Sequence, residues 1–191
     1  MGRTTGFLLM FLGSWAGGCI DDGNVAPPGD DAGTDADSDA DSDGDADTDV
    51  DGPFVVTFID VGQGDAALYQ MPDGSAILVD GGPTGAGNSA IVPLLWDKGI
   101  TNLDLVVLTH PHADHCGGLD EVLALVEVAE IWENGETLDT SSYQGFAAAR
   151  DAEGVEVLVA GAGDQRAFGD VLLTVLWGDH GMEDENNDSI V

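Results

Sequence analysis

The pattern of apolar and polar residues divides the chain at about residue 53. Residues 20–52 contain little apolar material, whereas short apolar and β-branched runs alternate with glycine-rich turns in the rest of the sequence. These runs predict strands at 54–59, 66–70, 75–79, 103–108, 128–132, 155–159 and 171–177. Helices are predicted from Asn88 or Ser89 to Trp96, over 119–126 and over 141–152, with Gly99 and Gly154 just beyond the first and the last. The order, strands first and strands alternating with helices afterwards, favours a mixed α/β layered fold.

Residues 1–19 have the layout of an export signal. One positive charge, Arg3, precedes an apolar run at 7–15, and small residues then lead to Cys19. The run is too short to span a membrane comfortably. A small residue directly before a cysteine resembles the bacterial lipoprotein signal, in which Cys19 is lipidated; the alternative is an ordinary cleaved signal. The residue after Cys19 is Ile20. An aspartate at this position would resemble an inner-membrane retention signal, so its absence favours the outer membrane. Cys116 would then have no disulfide partner, and we predict a small buried residue there.

Residues 20–52 predict a disordered, extended tether between that signal and a domain at 53–191. Thirteen aspartates lie between Asp21 and Asp51, and the like charges repel one another. The segment 39–44 matches the start of a calcium-binding loop, but Val50 occupies the twelfth position, where a bidentate glutamate is needed. The spacer interpretation is therefore favoured, and a calcium-dependent adhesion or spacer function is the weaker alternative.

The charge of the chain narrows the classes of partner. With 37 acidic and 4 basic residues, the formal net charge is −33. Binding to extended nucleic acid requires a basic face, and docking on anionic lipid requires basic clusters, so both are disfavoured. An enzyme acting on small molecules is not disfavoured by this composition.

The candidate chemistry lies in a histidine cluster that follows a predicted buried strand. His110, His112, Asp114 and His115 fall within six residues, and Gly117 and Gly118 would let the chain reverse behind them. Imidazole and carboxylate are ligands that zinc prefers, and two neighbouring ions can hold a hydroxide and polarise a carbonyl or phosphoryl oxygen. The alternative is a surface loop that happens to contain histidines.

Four blocks of sequence, in order, resemble the metallo-β-lactamase superfamily, and within it the hydrolase-like domain of the ComEC/Rec2 competence proteins. They are FIDVGQGDA at 58–66, ILVDGG at 77–82, THPHADHCGG at 109–118 and NNDSIV at 186–191. The resemblance implies an αββα sandwich, of which this chain would contain the N-terminal half and part of the second sheet. It also implies a metal-dependent hydrolase with one or two Zn²⁺ ions, or Mn²⁺ instead.

The resemblance further implies roles for individual residues. His110 and His112 would bind the first metal, and Asp114 and His115 the second. Asp114 would also be catalytic, because it would orient the attacking hydroxide. Asp80 would be an outer acid that fixes the metal-binding loop. A last group would lie beside the site, where turn formation and a direct role are equally open: Asp60, Gln63 and Asp65.

The chain also departs from the family pattern. The family continues to a Gly-Asp block and a late histidine block, and neither is present. His180 is the remaining candidate ligand, with an exposed loop histidine as the alternative. We therefore expect an incomplete site, which a partner or a missing C-terminal segment would complete. A half sandwich would also leave a sheet edge and an apolar face uncovered.

Two functions follow from these observations. The first is an exported, membrane-tethered hydrolase that attacks a small-molecule ester or phosphodiester. The second is a non-catalytic, lipid-anchored surface module that keeps the scaffold and at most one structural metal.

Overall fold

The computed structural model describes residues 52–178 and Ile190, and its centre is a six-stranded sheet. Two two-stranded sheets and a set of short helices accompany it. The strands are β1 (Val55–Phe58), β2 (Ala67–Gln70), β3 (Ala76–Val79), β4 (Asn102–Leu103), β5 (Leu105–Leu108), β6 (Glu127–Val128), β7 (Glu130–Glu133), β8 (Glu156–Val159), β9 (Gln165–Phe168) and β10 (Val171–Thr174). A π-helical turn (Gly87–Ile91) continues into α1 (Val92–Asp97), and α2 (Ala113–Cys116), α3 (Leu119–Leu123) and α4 (Ser141–Glu153) follow.

The large sheet is mixed, with the strand order β1-β2-β3-β5-β7-β8. The first three strands form an antiparallel meander, whereas β3, β5, β7 and β8 run parallel. The pairing of β3 with β5 aligns Val79 with Val107. Because parallel strands end at the same edge of a sheet, Asp80 after β3 and Thr109 and His110 after β5 meet there.

Both faces of the large sheet are covered by apolar side chains. On one face α1, α3 and α4 pack on the sheet and form a core around Leu78, Leu95, Leu119 and Phe146, all of which are fully buried. On the other face the β9–β10 hairpin and the residues after it form a second core. Its members include Val107, Trp132, Phe168, Leu173 and Ile190. The predicted mixed α/β layered fold is therefore confirmed.

An uncovered apolar face was expected, and the described residues include one at the β8 end of the sheet. The hairpin covers the middle of the second face, but all four residues of β8 are exposed, and Val159 is 54% exposed. Within residues 52–178, β8 pairs with β7 alone. The strand β8 is therefore an exposed apolar edge of the kind that a half sandwich predicts.

Most predicted elements are present, but several bounds differ. The predicted strand 103–108 is interrupted at Asp104, whose Oδ2 accepts the backbone N–H of Ala76 at 2.9 Å. The helix predicted over 119–126 ends at Leu123. The strand β9 was not predicted, and residues 113–116 form a short helix rather than a loop.

Capping residues in the sequence predicted the ends of one helix correctly and the start of another wrongly. The prediction that Asn88 or Ser89 caps the first helix is wrong, because the helical segment starts after Ala86 without a side-chain cap. The prediction for α4 is confirmed: Thr140 accepts the backbone N–H of Tyr143, and Gly154 ends the helix in the left-handed conformation.

Several predictions fall on residues that the structure does not describe. Cys19, the tether at 20–52 apart from Gly52 and the candidate ligand His180 lie outside the described residues. Among residues 52–178, no helix has both the length and the apolar character needed to cross a membrane. Cys116 is free and fully buried, as predicted.

Candidate metal centre

Asp80 is the hub of the cluster at the carboxyl edge of the sheet. It follows β3, is 1% exposed, and has a positive φ of 58°. The backbone N–H of Thr109 donates to Asp80 Oδ1 at 2.9 Å, and the Thr109 hydroxyl donates to Oδ2 at 2.8 Å. His115 Nδ1 lies 2.8 Å from the same Oδ2. The role expected for Asp80, an acid that fixes the metal-binding loop, is consistent with these contacts.

These hydrogen bonds set which ring nitrogen of each histidine carries the proton. Because a carboxylate only accepts, His115 Nδ1 must donate to Asp80. The Thr109 hydroxyl donates its single proton to Asp80, so at its 3.0 Å contact with His110 Nδ1 it accepts. In their neutral form both imidazoles therefore carry the proton on Nδ1 and the lone pair on Nε2, which is the form that binds a metal through Nε2.

The three histidine rings lie side by side. The centroid of the His110 ring is 4.8 Å from that of His112 and 4.1 Å from that of His115. His110 is 5% exposed and His112 is half-buried. The chain turns into α2 directly after His112, and this turn brings His115 back towards His110.

The loop between β1 and β2 packs directly on this motif. The backbone N–H of Asp65 donates to the carbonyl oxygen of Asp114 at 3.3 Å, and Gly82 N–H donates to the carbonyl of Asp65 at 2.9 Å. Gly64 has a φ of +104°, and a Cβ there would lie 2.0 Å from the Asp114 carbonyl oxygen. Only glycine permits this approach, so the loop 60–65 packs against the histidine motif.

Three residues of that loop have different roles in the structure. Asp60 Oδ1 accepts the backbone N–H of Gly62 at 3.2 Å, which is the turn-forming role. Gln63 is exposed and borders a groove with Pro83, Thr84 and Asp114. Asp65 Oδ2 lies 3.9 Å from His115 Nε2. Of the three, Asp65 is the residue whose side chain contacts a predicted ligand.

The paired glycines after the histidines lie in the turn between α2 and α3. Gly117 and Gly118 both have negative φ, −66° and −99°, so a left-handed conformation is not what requires glycine there. A Cβ on Gly117 would lie 2.5 Å from Thr84 N, and one on Gly118 would lie 2.4 Å from the Gly81 carbonyl oxygen. These residues are small because the backbone after β3 packs against them.

The family to which this chain belongs follows from its match to a family model. A family model described as the metallo-beta-lactamase superfamily matches residues 59–184. This chain belongs to that superfamily. The match contains the loop 60–65, Asp80 and the whole histidine motif, which belong to three of the four sequence blocks, so the resemblance to the superfamily is confirmed.

The curated relatives of this superfamily member are competence proteins, as predicted. ComE operon protein 3 of Bacillus subtilis (strain 168) is 29% identical over 138 residues, which cover 63% of this chain and 18% of the relative. Competence protein ComA of Neisseria gonorrhoeae is 39% identical over 67 residues, covering 35% of this chain and 10% of that protein. The chain thus spans less than a fifth of the length of the curated relatives it matches.

Solved structures of metallo-β-lactamases and of a related protein are also similar. MEM-A1, a subclass B3 enzyme from a soil metagenome library, is 18% identical with a TM-score of 0.48, covering 75% of this chain and 58% of that one. A flavo di-iron protein mutant from Thermotoga maritima is 20% identical with a TM-score of 0.43, covering 59% of this chain and 27% of that one.

Members of the superfamily bind metal ions, and the chemistry of this cluster fits such an ion. Three imidazoles lie together, and two of them have Nδ1 held by hydrogen bonds that direct Nε2 to a metal. Within residues 52–178, no three His, Cys, Asp or Glu side chains are arranged to coordinate one ion as they stand. The ligand roles of His110, His112, Asp114 and His115 therefore remain predictions.

Burial and charge shift the pKa values in the cluster. Burial raises the pKa of Asp80, although its hydrogen bonds with His115 and Thr109 act in the opposite direction. Burial lowers the pKa of His115, but the combined effect of Asp80, Asp114 and Asp65 outweighs it, so that pKa is raised. Asp80, Asp114 and Asp65 thus all favour the protonated form of the His115 ring.

Sequence reasoning did not assign a role to Thr109. Its hydroxyl bridges Asp80 and His110, and it is 1% exposed. A hydroxyl residue directly before the first histidine, at the end of a buried strand, was the available signal. The contact itself depends on β3 and β5 being neighbours, which the sequence did not reveal.

Proposed function

We propose that this chain carries a metal-dependent hydrolase domain that acts on a phosphodiester or another ester. The observation that supports the proposal is the hydrogen-bond network of Asp80, Thr109, His110 and His115. In this network a buried carboxylate and a hydroxyl determine which ring nitrogen carries the proton in two adjacent imidazoles. A purely structural loop would gain little from such a network, because burying a carboxylate is costly.

The proposed roles follow the order of the motif. His110 and His112 would hold one ion, and Asp114 and His115 would hold a second if two are bound. Zn²⁺ suits this set of donors, with Mn²⁺ as the alternative. When bound, such an ion lowers the pKa of water and polarises the ester. Asp114 would orient the attacking water, and Asp80 would keep His115 in place.

The groove beside Asp114 supports a small substrate. Gln63, Pro83, Thr84 and Ala113 line it, and the Thr84 hydroxyl lies 3.3 Å from the Ser142 hydroxyl. Of these residues, Gln63 and Thr84 have neutral polar side chains that could hydrogen-bond an ester or a phosphate. The net charge of −33 disfavours long nucleic acids, which would be repelled.

We also propose that the domain is exported and tethered to the outer membrane through lipid on Cys19. The support is the sequence of residues 1–19 and the aspartate-rich spacer at 20–52. Labelling of growing cells with a fatty acid would test this, because a Cys19→Ser chain should lose the label while the wild-type chain keeps it.

The metal content of the purified full-length chain, measured by mass spectrometry, tests the hydrolase proposal. We expect one or two ions per chain, and their loss in a His110→Ala/His112→Ala double variant that stays folded. Substrate screens with phosphodiesters and carboxylic esters would follow. No metal in a folded wild-type chain would instead support a non-catalytic surface module.

A further inference from the structure

We propose that Asp65 is a metal ligand, contributing a carboxylate oxygen to the ion held by His115. This inference rests on the proposed metal centre and adds a residue from outside the histidine motif. It assigns the ligand role to Asp65 and not to Asp60 or Gln63, which lie in the same loop.

The first argument is the direction in which His115 presents its ligand nitrogen. Asp80 accepts from Nδ1, so an ion binds Nε2. Asp65 Oδ2 lies 3.9 Å from that Nε2. Nitrogen and oxygen ligands bind zinc at about 2.0–2.2 Å in a tetrahedral arrangement, so two donors of one ion lie about 3.4 Å apart. The observed separation exceeds that distance by about 0.5 Å, which a small rotation of the exposed Asp65 side chain removes.

The second argument is how firmly the backbone of Asp65 is held. Its N–H donates to the Asp114 carbonyl and its carbonyl accepts from Gly82 N–H, so it is joined both to the histidine motif and to the end of β3. Gly64 packs against Asp114 so closely that a Cβ would overlap the Asp114 carbonyl oxygen. A ligand on a backbone fixed in this way needs little reorganisation to bind.

The third argument is the contrast between the two aspartates of the loop. The carboxylate of Asp60 accepts the N–H of Gly62 and forms the turn. The side chain of Asp65 is 76% exposed, and its contact is with the His115 ring. A carboxylate that is exposed to solvent and adjacent to an imidazole can bind an incoming ion without disrupting the core.

Cobalt titration of the full-length chain tests the inference, because bound Co²⁺ reports its ligands through visible absorption. In Asp65→Asn we expect the affinity for Co²⁺ to fall at least tenfold and the spectrum to change. Asp60→Asn is the matched control, since an asparagine oxygen still accepts from Gly62, and it should match wild type. Asp65→Glu restores a carboxylate and should recover part of the affinity.

The outcomes separate this inference from the proposed function. If Asp65→Asn binds Co²⁺ with wild-type affinity and spectrum while His110→Ala/His112→Ala loses it, Asp65 is not a ligand and the metal centre stands. If the histidine variant binds as wild type does, the proposed centre itself is wrong, and the inference falls with it. Urea unfolding of each variant verifies that the comparison is between folded chains.

Discussion

Replacing Asp80 should separate its structural role from its role at the metal centre. In Asp80→Ala, the backbone N–H of Thr109 loses a buried acceptor, and so do the Thr109 hydroxyl and His115 Nδ1. A buried donor left without a partner costs about 1–3 kcal/mol. The hydroxyl can donate to His110 Nδ1 if that ring moves its proton to Nε2, and His115 is partly open to water, which reduces two of these losses. We therefore expect about 3 kcal/mol of destabilisation.

Asp80→Asn should behave differently. Asparagine tolerates the positive φ of this position, and its side-chain oxygen still accepts from Thr109 N–H. Its amide donates, however, so His115 Nδ1 must become the acceptor and the proton moves to Nε2. We expect a stability loss of about 1 kcal/mol, but a fall of about tenfold to a hundredfold in metal affinity, as for other outer partners of metal-bound histidines.

Urea unfolding followed by tryptophan fluorescence measures the stabilities, because Trp132 is buried in the second core. Competition with a zinc chelator measures the affinities. A loss below about 1 kcal/mol in Asp80→Ala would show that the network does not hold the motif, given the costs above. Wild-type zinc affinity in Asp80→Asn would refute the argument that Asp80 sets the protonation of His115.

Three further predictions concern packing and protonation. Gly64→Ala should cost about 3 kcal/mol or more in urea unfolding, because its Cβ meets the Asp114 backbone; Gly62→Ala, with nothing within 4 Å, should cost only about 1 kcal/mol. Burial raises the pKa values of both tyrosines, Tyr69 and Tyr143, above 10.0, so tyrosinate absorbance should appear only above that pH. The free energy of unfolding should fall as the pH rises above 10.0, because the unfolded chain then loses protons that the folded chain keeps. A normal phenolic titration in the folded chain would contradict this. Burial also raises the pKa of Cys116 to about 12, so in a chain whose other cysteine is replaced by serine, thiol reagents at mildly alkaline pH should react only after unfolding.

The elements of the fold could be predicted from the sequence wherever the buried residues of an element form one apolar run. The strands of the large sheet are short apolar runs closed by turn residues, and all six were predicted. The strand Gln165–Phe168 was missed because only Phe168 is buried in it, which leaves no alternating pattern. The break at Asp104 was missed because its hydrogen-bond partner, Ala76, comes from another strand.

The candidate site could be predicted as far as its residues are close in sequence. His110, His112 and His115 stand together because α2 follows directly, so a local motif sufficed. The bridging position of Thr109 and the distance from Asp65 to His115 depend on which strands are neighbours. Such contacts between distant segments follow from the sheet order, which the apolar pattern alone does not specify.

The distribution of charge favours a small substrate for the proposed site. Among the residues that the structure describes, Arg150 is bound by Glu133 and Asp151, and Arg166 by Glu130. Lys98 follows α1, and the chain then leads into the amino end of β5, opposite the edge that holds His110. Attraction for an anionic group at the site would therefore come from the metal and from neutral donors, against repulsion from Asp65 and Asp114. With the rest of the chain strongly negative, each further phosphate of a polymer adds repulsion without adding a contact. A single phosphodiester or ester is thus favoured over a nucleic acid strand, whichever groups complete the coordination.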